Sequence, residues 1–212
     1  MSRSTPFGKK DPKQDDKRGR ILRAAERLFL HYGPAKTTIA DIARASEVGV
    51  GTVYLSFDSK EAILRELATE KGRVVADRMR EAVATAGDGA ATQLERALEA
   101  RVRALLDLAG DGQHACDVIR CALGARGEAQ KPALPVEPGF GTAPRAVLAT
   151  LLERGVLCGE LQVDSIAATL DAIEIAFAAL TPPVLYQMER GVAETRASAL
   201  AKLVAKGLSV SR

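Results

Sequence analysis

An all-α fold is what this sequence predicts, and three observations predict it. Apolar residues recur at helical spacing from Lys17 almost to the C-terminus, and no stretch sustains the two-residue alternation of a strand. The periodic segments are interrupted at Gly33-Pro34, at Gly87-Asp-Gly89 and in a Pro-rich stretch at 127–141. No repeat at a fixed period is present. The length, 212 residues, suits one large domain or two small ones.

The elements follow in order. Residues 1–16 are polar and interrupted by Pro6, Gly8 and Pro12, which predicts a disordered basic arm. From Lys17, the spacing of Ile21, Leu22, Ala25, Leu28, Phe29 and Tyr32 predicts a helix stopped by Gly33-Pro34. Thr38 and Asp41 have capping-box spacing, so a short helix is expected over about 39–45. Val48 is an apolar plug in the turn that follows, and Gly49-Val50-Gly51 opens a second short helix to about Leu55. Asp58 and Glu61, again spaced as a capping box, introduce a long helix over about 59–85. Further helices are expected at about 91–109, 113–123, 143–154, 164–180 and 184–207, with a loop at 127–141. The 164–180 segment carries apolar residues around most of its circumference and is expected to be buried on nearly all sides. Within it, Asp171 and Glu174 need a partner, since buried carboxylates are costly alone. Arg145, Arg154 or another arginine could supply it, or the pair could face a cationic ligand.

Composition narrows the function. Hydrophobic residues are 47% and charged residues 27%, an ordinary balance for a globular protein. No apolar run reaches the ~18 residues that span a bilayer, and Met1–Arg20 has no apolar core of a secretory signal, so a cytoplasmic location away from membranes is expected. Residues 1–75 hold 15 Lys/Arg against 10 Asp/Glu, whereas 76–212 hold 15 against 17. A basic N-terminal third suits a polyanion. Three cysteines, Cys116, Cys121 and Cys158, make no disulfide framework, and two histidines, His31 and His114, cannot readily close a zinc site. His114-Ala-Cys116 is a two-ligand start that nothing nearby completes. No phosphate loop, G-x-S-x-G elbow or metal-ligand cluster is present, so neither an enzyme nor a cofactor is expected. A Cys-dependent enzyme would have to rely on His114 to activate Cys116.

Two short helices across a tight turn, preceded by an amphipathic helix, have the form of a helix-turn-helix head. That motif needs an apolar residue to lock the turn, here Val48. It needs small or polar residues at the exposed start of the second helix, which enters the major groove; here these are Gly49, Val50, Gly51 and Thr52. The series Arg20-Ile-Leu, Ala24-Ala25, Leu28-Phe29, Gly33, Thr37-Thr38, Ile42-Ala43, Val48, Gly51-Thr-Val-Tyr54, Phe57 and Ser59-Lys60-Glu61 resembles the N-terminal signature of TetR/AcrR transcriptional regulators. The resemblance spans about residues 17–70. It implies an operator-binding head at 17–60, linked through helix 59–85 to a ligand-binding and dimerisation domain at 61–212.

The resemblance carries roles onto matching positions. Val50, Gly51, Thr52 and Ser56 are implied to face the groove, and Thr38, Tyr54 and Lys60 to touch phosphates. The chemistry agrees: Lys60 opens a helix whose N-terminus already favours an anion, hydroxyls of Thr52 and Tyr54 can donate to the backbone, and Val50 can meet a thymine methyl. The sequence departs from the family at Glu47, where a glycine is usual, and at Gly49, where a serine is frequent. A left-handed backbone at Glu47 costs about 1 kcal/mol. With few polar side chains facing the groove, base preference is expected to lean on Arg44, the arm and DNA shape.

The resemblance also implies double-stranded operator DNA, a small molecule and a second copy of the chain as partners, with ligand binding releasing a repressor. The homodimer is expected to form through about 164–207. The ligand is expected between helix 59–85 and the helices of 91–180, against Leu98, Val102, Leu105 and Leu170. With 4% aromatics and no Trp, an aliphatic or acyl-type ligand is favoured over an aromatic cage. The alternative is a redox-sensing regulator that uses Cys116 or Cys121.

Overall fold

The computed structural model describes residues 12–87, 89–110 and 140–210. It is helical, as expected: α1 Pro12–Tyr32, α2 Ile39–Ala45, α3 Val50–Ser56, α4 Lys60–Ala84, α5 Ala90–Ala109, α6 Thr142–Leu157, α7 Ile166–Ala176 and α8 Arg190–Leu208. Among the described residues no strand forms; a single bridge pairs Leu161 with Ser209 and ties the end of α8 to the α6–α7 connection. The helix expected at 113–123 and the loop at 127–141 fall almost wholly outside the described residues, as do Cys116, Cys121 and His114.

The helix ends show how sequence sets the boundaries. α1 begins at Pro12, five residues before Lys17, so 12–16 belong to the helix rather than to an arm. Proline suits a first helical turn because its missing N–H would have had no partner there. Gly33 closes α1 at φ 83°, a conformation that favours glycine. The box at α2 is complete: Asp41 N–H donates to Thr38 Oγ1 at 3.2 Å and Thr38 N–H to Asp41 Oδ2 at 3.1 Å. At α4 the cap is Ser59, whose Oγ accepts from Ala62 N–H at 3.2 Å, and not Asp58. Serine three residues before a free N–H makes the same bond that was expected of aspartate, one residue later. Gly89 brings no side chain to the start of α5, and Glu160 fills that place by accepting from Ala90 N–H at 2.5 Å.

Two cores form, and α4 belongs to both. In the head, Ile21, Phe29, Ile42, Val53 and Phe57 pack with Ile63, Leu64 and Leu67 of α4. In the larger domain, Val75, Ala76 and Met79 of α4 join α5, Leu148 and Leu152 of α6, and Leu170 and Ile173 of α7. α8 lays Ala193, Ala197, Ala201 and Ala205, one per turn, against the bundle, and those small side chains let it approach closely. Each fully buried aliphatic side chain contributes about 1.5–3 kcal/mol. No described helix is long and apolar enough to cross a membrane.

The C-terminal third departs from expectation. The 164–180 helix ends at Ala176, and a 3-10 turn follows at Ala178–Leu180. The final helix starts at Arg190, not 184, and a short 3-10 turn at Leu185–Gln187 precedes it. Nor is α7 buried on nearly all sides. Only its Leu170–Ile173 stripe, continued by Phe177, turns inward, while Ala168, Ala172, Ile175 and Ala176 are exposed. Circumferential apolarity measures what a helix could bury, and this single chain covers one face of it.

Candidate nucleic-acid interface

The geometry of the head is set by its turn. Ser46 is buried and donates its hydroxyl to the Ile42 carbonyl at 2.6 Å, which finishes α2. Glu47 then takes φ 56°, the left-handed conformation expected at that position. Val48 packs on the head core, and Gly49 caps α3 with no side-chain bond. Val53 and Phe57 of the α3 region point inward, so residues between them point out.

That outward face brings together most of the expected reading residues. Val50 is 44% exposed, Tyr54 is 53% exposed and Gly51 is open, with nothing within 4 Å of where a Cβ would sit. Thr52 is half-buried. Ser56 is half-buried too, and its hydroxyl is already given to the Thr52 carbonyl at 3.1 Å. Leu55, at 81% exposed, joins this face and was missed from the sequence; its offset of two from Val53 and from Phe57 was the available signal.

The flanking groups are more engaged than expected. Thr38 Oγ1 donates to Asp41 Oδ2 at 2.6 Å as well as capping α2. The Thr38 hydroxyl and then its backbone N–H hold the Asp41 carboxyl below its ordinary pKa. Arg44 extends into solvent, 3.7 Å from Asp41 at its nearest. Lys60 sits inward: its ammonium donates to the Pro34 carbonyl at 2.7 Å and the Thr37 carbonyl at 3.1 Å. Two of its three N–H groups are thus spent inside the head, and one is left over.

Arg18 is a further residue that sequence reasoning passed over. Its guanidinium donates to the Ser56 carbonyl at 3.0 Å, lies 4.1 Å from the centroid of the Phe57 ring and pairs with Glu66 of α4. It therefore fastens the end of α3 to both α1 and α4. Arg18 stands three and four residues before Ile21 and Leu22, on the apolar stripe of α1, and a cation at that register was the clue.

In the larger domain, Leu98, Val102, Leu105 and Leu170 come together in one core and are buried. A groove of about 530 Å³ lies instead between α4 and the start of α6, lined by Thr69, Arg73, Asp77, Arg80, Thr142, Ala143 and Ala146. The carboxylates of α7 find the partner expected from the sequence: Arg145 binds Asp171 at 2.7 Å and Glu174 at 2.9 Å. Asp171 first, and Glu174 after it, raise the Arg145 pKa. Arg154 bonds Gln93 at 2.5 Å instead. The one described cysteine, Cys158, is exposed.

A helix-turn-helix whose second helix presents an open, nearly uncharged face, carried on a helical bundle by a shared long helix, defines a DNA-binding regulator. Residues 21–67 match the family model described as "Bacterial regulatory proteins, tetR family". The HTH-type transcriptional regulator TtgR of Pseudomonas putida is 29% identical over 164 residues, 73% of this chain and 75% of the relative. A Shewanella sp. PV-4 structure assigned to the tetR family is 26% identical, with a TM-score of 0.58 over 92% of this chain and 99% of that one. The regulator FadR of Bacillus subtilis, solved with stearoyl-CoA, shares the fold at 20% identity, with a TM-score of 0.64 over 90% of this chain and 98% of the other. The head of this chain carries the tetR-family signature over residues 21–67, and the chain as a whole is similar to DNA-binding transcriptional regulators of that family.

Proposed function

We propose that this regulator is a homodimeric, cytoplasmic repressor that leaves its operator when its C-terminal domain takes up a small molecule. The observation that carries this reading is the continuity of α4. Its first turns are core to the head and its last turns are core to the larger domain, with no linker between them. A ligand that tilts the second half must move the first. In this reading Val50, Gly51, Thr52 and Ser56 face the major groove, while Thr38, Tyr54 and the spare N–H of Lys60 meet phosphates, with Arg44 reaching beyond them. Leu98, Val102, Leu105 and Leu170 form the wall that parts to admit the ligand. The head is residues 17–60 with the larger domain from 61, and α4 links them, its first turns completing the head core.

The dimer is supported by the apolar face left open on α7 and α8, where Ile175 is 76% and Leu203 is 70% exposed. A two-fold dimer sets two α3 helices about 34–36 Å apart, one DNA turn, or a multiple of it. The test is selection of bound sequences from random duplex DNA, then binding of the selected site with and without molecules that raise the melting temperature. A palindromic site released by such molecules is the expected result. A site that stays equally tight with every stabilising molecule refutes ligand release.

A further inference from the structure

We infer that Arg18 is a positioning residue for DNA readout: it sets the angle at which α3 meets the groove, and so how sharply the protein tells its operator from other DNA. The inference rests on the reading above that the outer face of α3 enters the major groove, and adds the residue that orients it. α3 has seven residues, Val50–Ser56, and is about 10 Å long. A helix of two turns does not hold its own shape in water. Packing through Val53 fixes where it sits, and what holds its ends fixes how Val50, Gly51, Thr52 and Tyr54 are aimed.

Neither end is held by a side chain of α3 at its margin. At the start, Gly49 brings no side-chain cap, and the backbone N–H groups of Thr52 and Val53 return to the Gly49 carbonyl. At the finish, the last turn contains no basic residue. The closing carbonyls of a helix need donors and favour a cation. Arg18 of α1 supplies both from 38 residues away, by donating to the Ser56 carbonyl at 3.0 Å. Its other terminal nitrogen pairs with the Glu66 carboxylate of α4. The plane of the guanidinium lies 4.1 Å from the ring centroid of Phe57, the residue that caps α3. Three contacts in three directions leave the planar fork one orientation.

An ion pair in open solvent would contribute little. This one is sheltered, with the side chains of Arg18 and Glu66 only 30% and 33% exposed, and it is joined to a helix carbonyl and a ring. Because Ser56 ends α3 and Glu66 belongs to α4, the pair makes the far end of the reading helix keep step with α4. Taken together, Arg18 and Glu66 carry no net charge, so as a unit they add nothing to the general attraction for phosphates. Their effect falls on contacts to base edges, which depend on fit, and not on the sequence-independent affinity, which depends on charge.

The test uses the full-length chain with an operator selected from random duplexes and a random-sequence duplex of equal length. Both are titrated at several salt concentrations, and circular dichroism reports folding at the assay temperature. Arg18→Met combined with Glu66→Gln removes the ion pair and the Ser56 bond without changing the net charge. This double variant is expected to bind the operator about tenfold more weakly, and random DNA as before with the same salt slope. Glu66→Gln alone removes a negative charge near a polyanion, so simple attraction would tighten every complex. Its preference for the operator is expected to fall instead. The close match in shape between Glu and Gln keeps this variant informative if the double variant loses helicity. A preference unchanged in either folded variant overturns the inference, as does a double variant that weakens equally on both duplexes. A salt slope smaller by about one unit in the double variant makes Arg18 a phosphate ligand, which also overturns it. A wild type that selects no sequence removes the groove reading, and this inference with it.

Discussion

The Lys60 ammonium donates a 2.7 Å hydrogen bond to the Pro34 carbonyl, so the first residue of α4 is tied to the loop that ends α1. With the second bond to Thr37, this tie holds α4 against the segment that starts α2. Lys60→Ala is expected to lower head stability by about 1–2 kcal/mol, since two bonded carbonyls lose a charged donor. It is also expected to weaken binding by one factor on all DNA sequences, with the salt slope smaller by about one unit. Titrations at several salt concentrations, beside a chemical melt, check both parts. A lower melt with an unchanged slope would leave the tie and remove the phosphate contact.

The turn offers a cleaner stability test. Glu47 is exposed at φ 56°, and among the described residues its one hydrogen bond is its backbone N–H to the Arg44 carbonyl. Glu47→Gly is expected to be neutral or stabilising by up to about 1 kcal/mol, because relief of the left-handed backbone exceeds the added freedom of the unfolded chain. Urea melts of the two proteins measure it. A clear loss of stability would show that the Glu47 side chain supports the turn.

The contrast between this turn and α7 shows what sequence could convey. The capping box at Thr38, the stop at Gly33 and the left-handed Glu47 depend on a few neighbours, and each was legible. So was the Arg145 partnership with Asp171 and Glu174, because a carboxylate pair on an apolar helix demands a cation. Val50, Gly51 and Tyr54 lie on the open side of α3 as its pattern implied, Leu55 joins them unforeseen, and the inward tie of Lys60 was not found, because it joins residues 26 apart. The exposed face of α7 was misjudged for a different reason. Periodicity reports which sides of a helix are apolar, and only the arrangement of the other helices decides which side is covered.

That exposed face makes the third prediction. Leu200 and Val204 are half-buried and pack on the chain's own core, whereas Leu203 points away from it. Leu203→Glu or Ile175→Glu is expected to separate protomers without unfolding them, and to abolish tight operator binding. Val204→Glu is expected to cost stability instead, since it places a charge against the bundle. Sedimentation and circular dichroism distinguish the cases. A wild type that sediments as a monomer at micromolar concentration would dispose of the dimer.

Acid should loosen the contact between α5 and α8. Burial tends to raise the Glu99 pKa, but the Ser198 hydroxyl, Arg103 and Arg96 outweigh it, and the carboxyl sits below its ordinary value of 4.5. A depressed carboxyl stabilises the fold fully above that ordinary value and loses its contribution as pH falls through the folded pKa. Stability measured downward from about pH 5 should therefore fall less steeply in Glu99→Gln than in the wild type, although the variant is less stable at neutral pH. Parallel acid limbs in the two proteins would show that Glu99 is not responsible.

The last prediction concerns α4 as the coupling element. The helix is 25 residues long, about 37 Å, and carries the head core on its first turns and the bundle core on its later ones. Between Leu67 and Val75 only Ala68 and Gly72 are buried, and Glu70 there is exposed. Glu70→Gly removes no core contact and costs about 1 kcal/mol of helix propensity at a site where the two halves must act as one rod. A bendable rod lets the bundle change without moving α3. The variant should bind operator and ligand separately about as well as the wild type, while the effect of each on the other shrinks. Linkage requires the loss to be equal in both directions: ligand weakens DNA binding less, and DNA weakens ligand binding less, by the same factor. Operator titrations with and without a stabilising ligand, and ligand titrations with and without operator, give the two factors. If coupling persists at full strength in Glu70→Gly, the signal does not depend on the stiffness of α4, and contacts beside the helix must carry it.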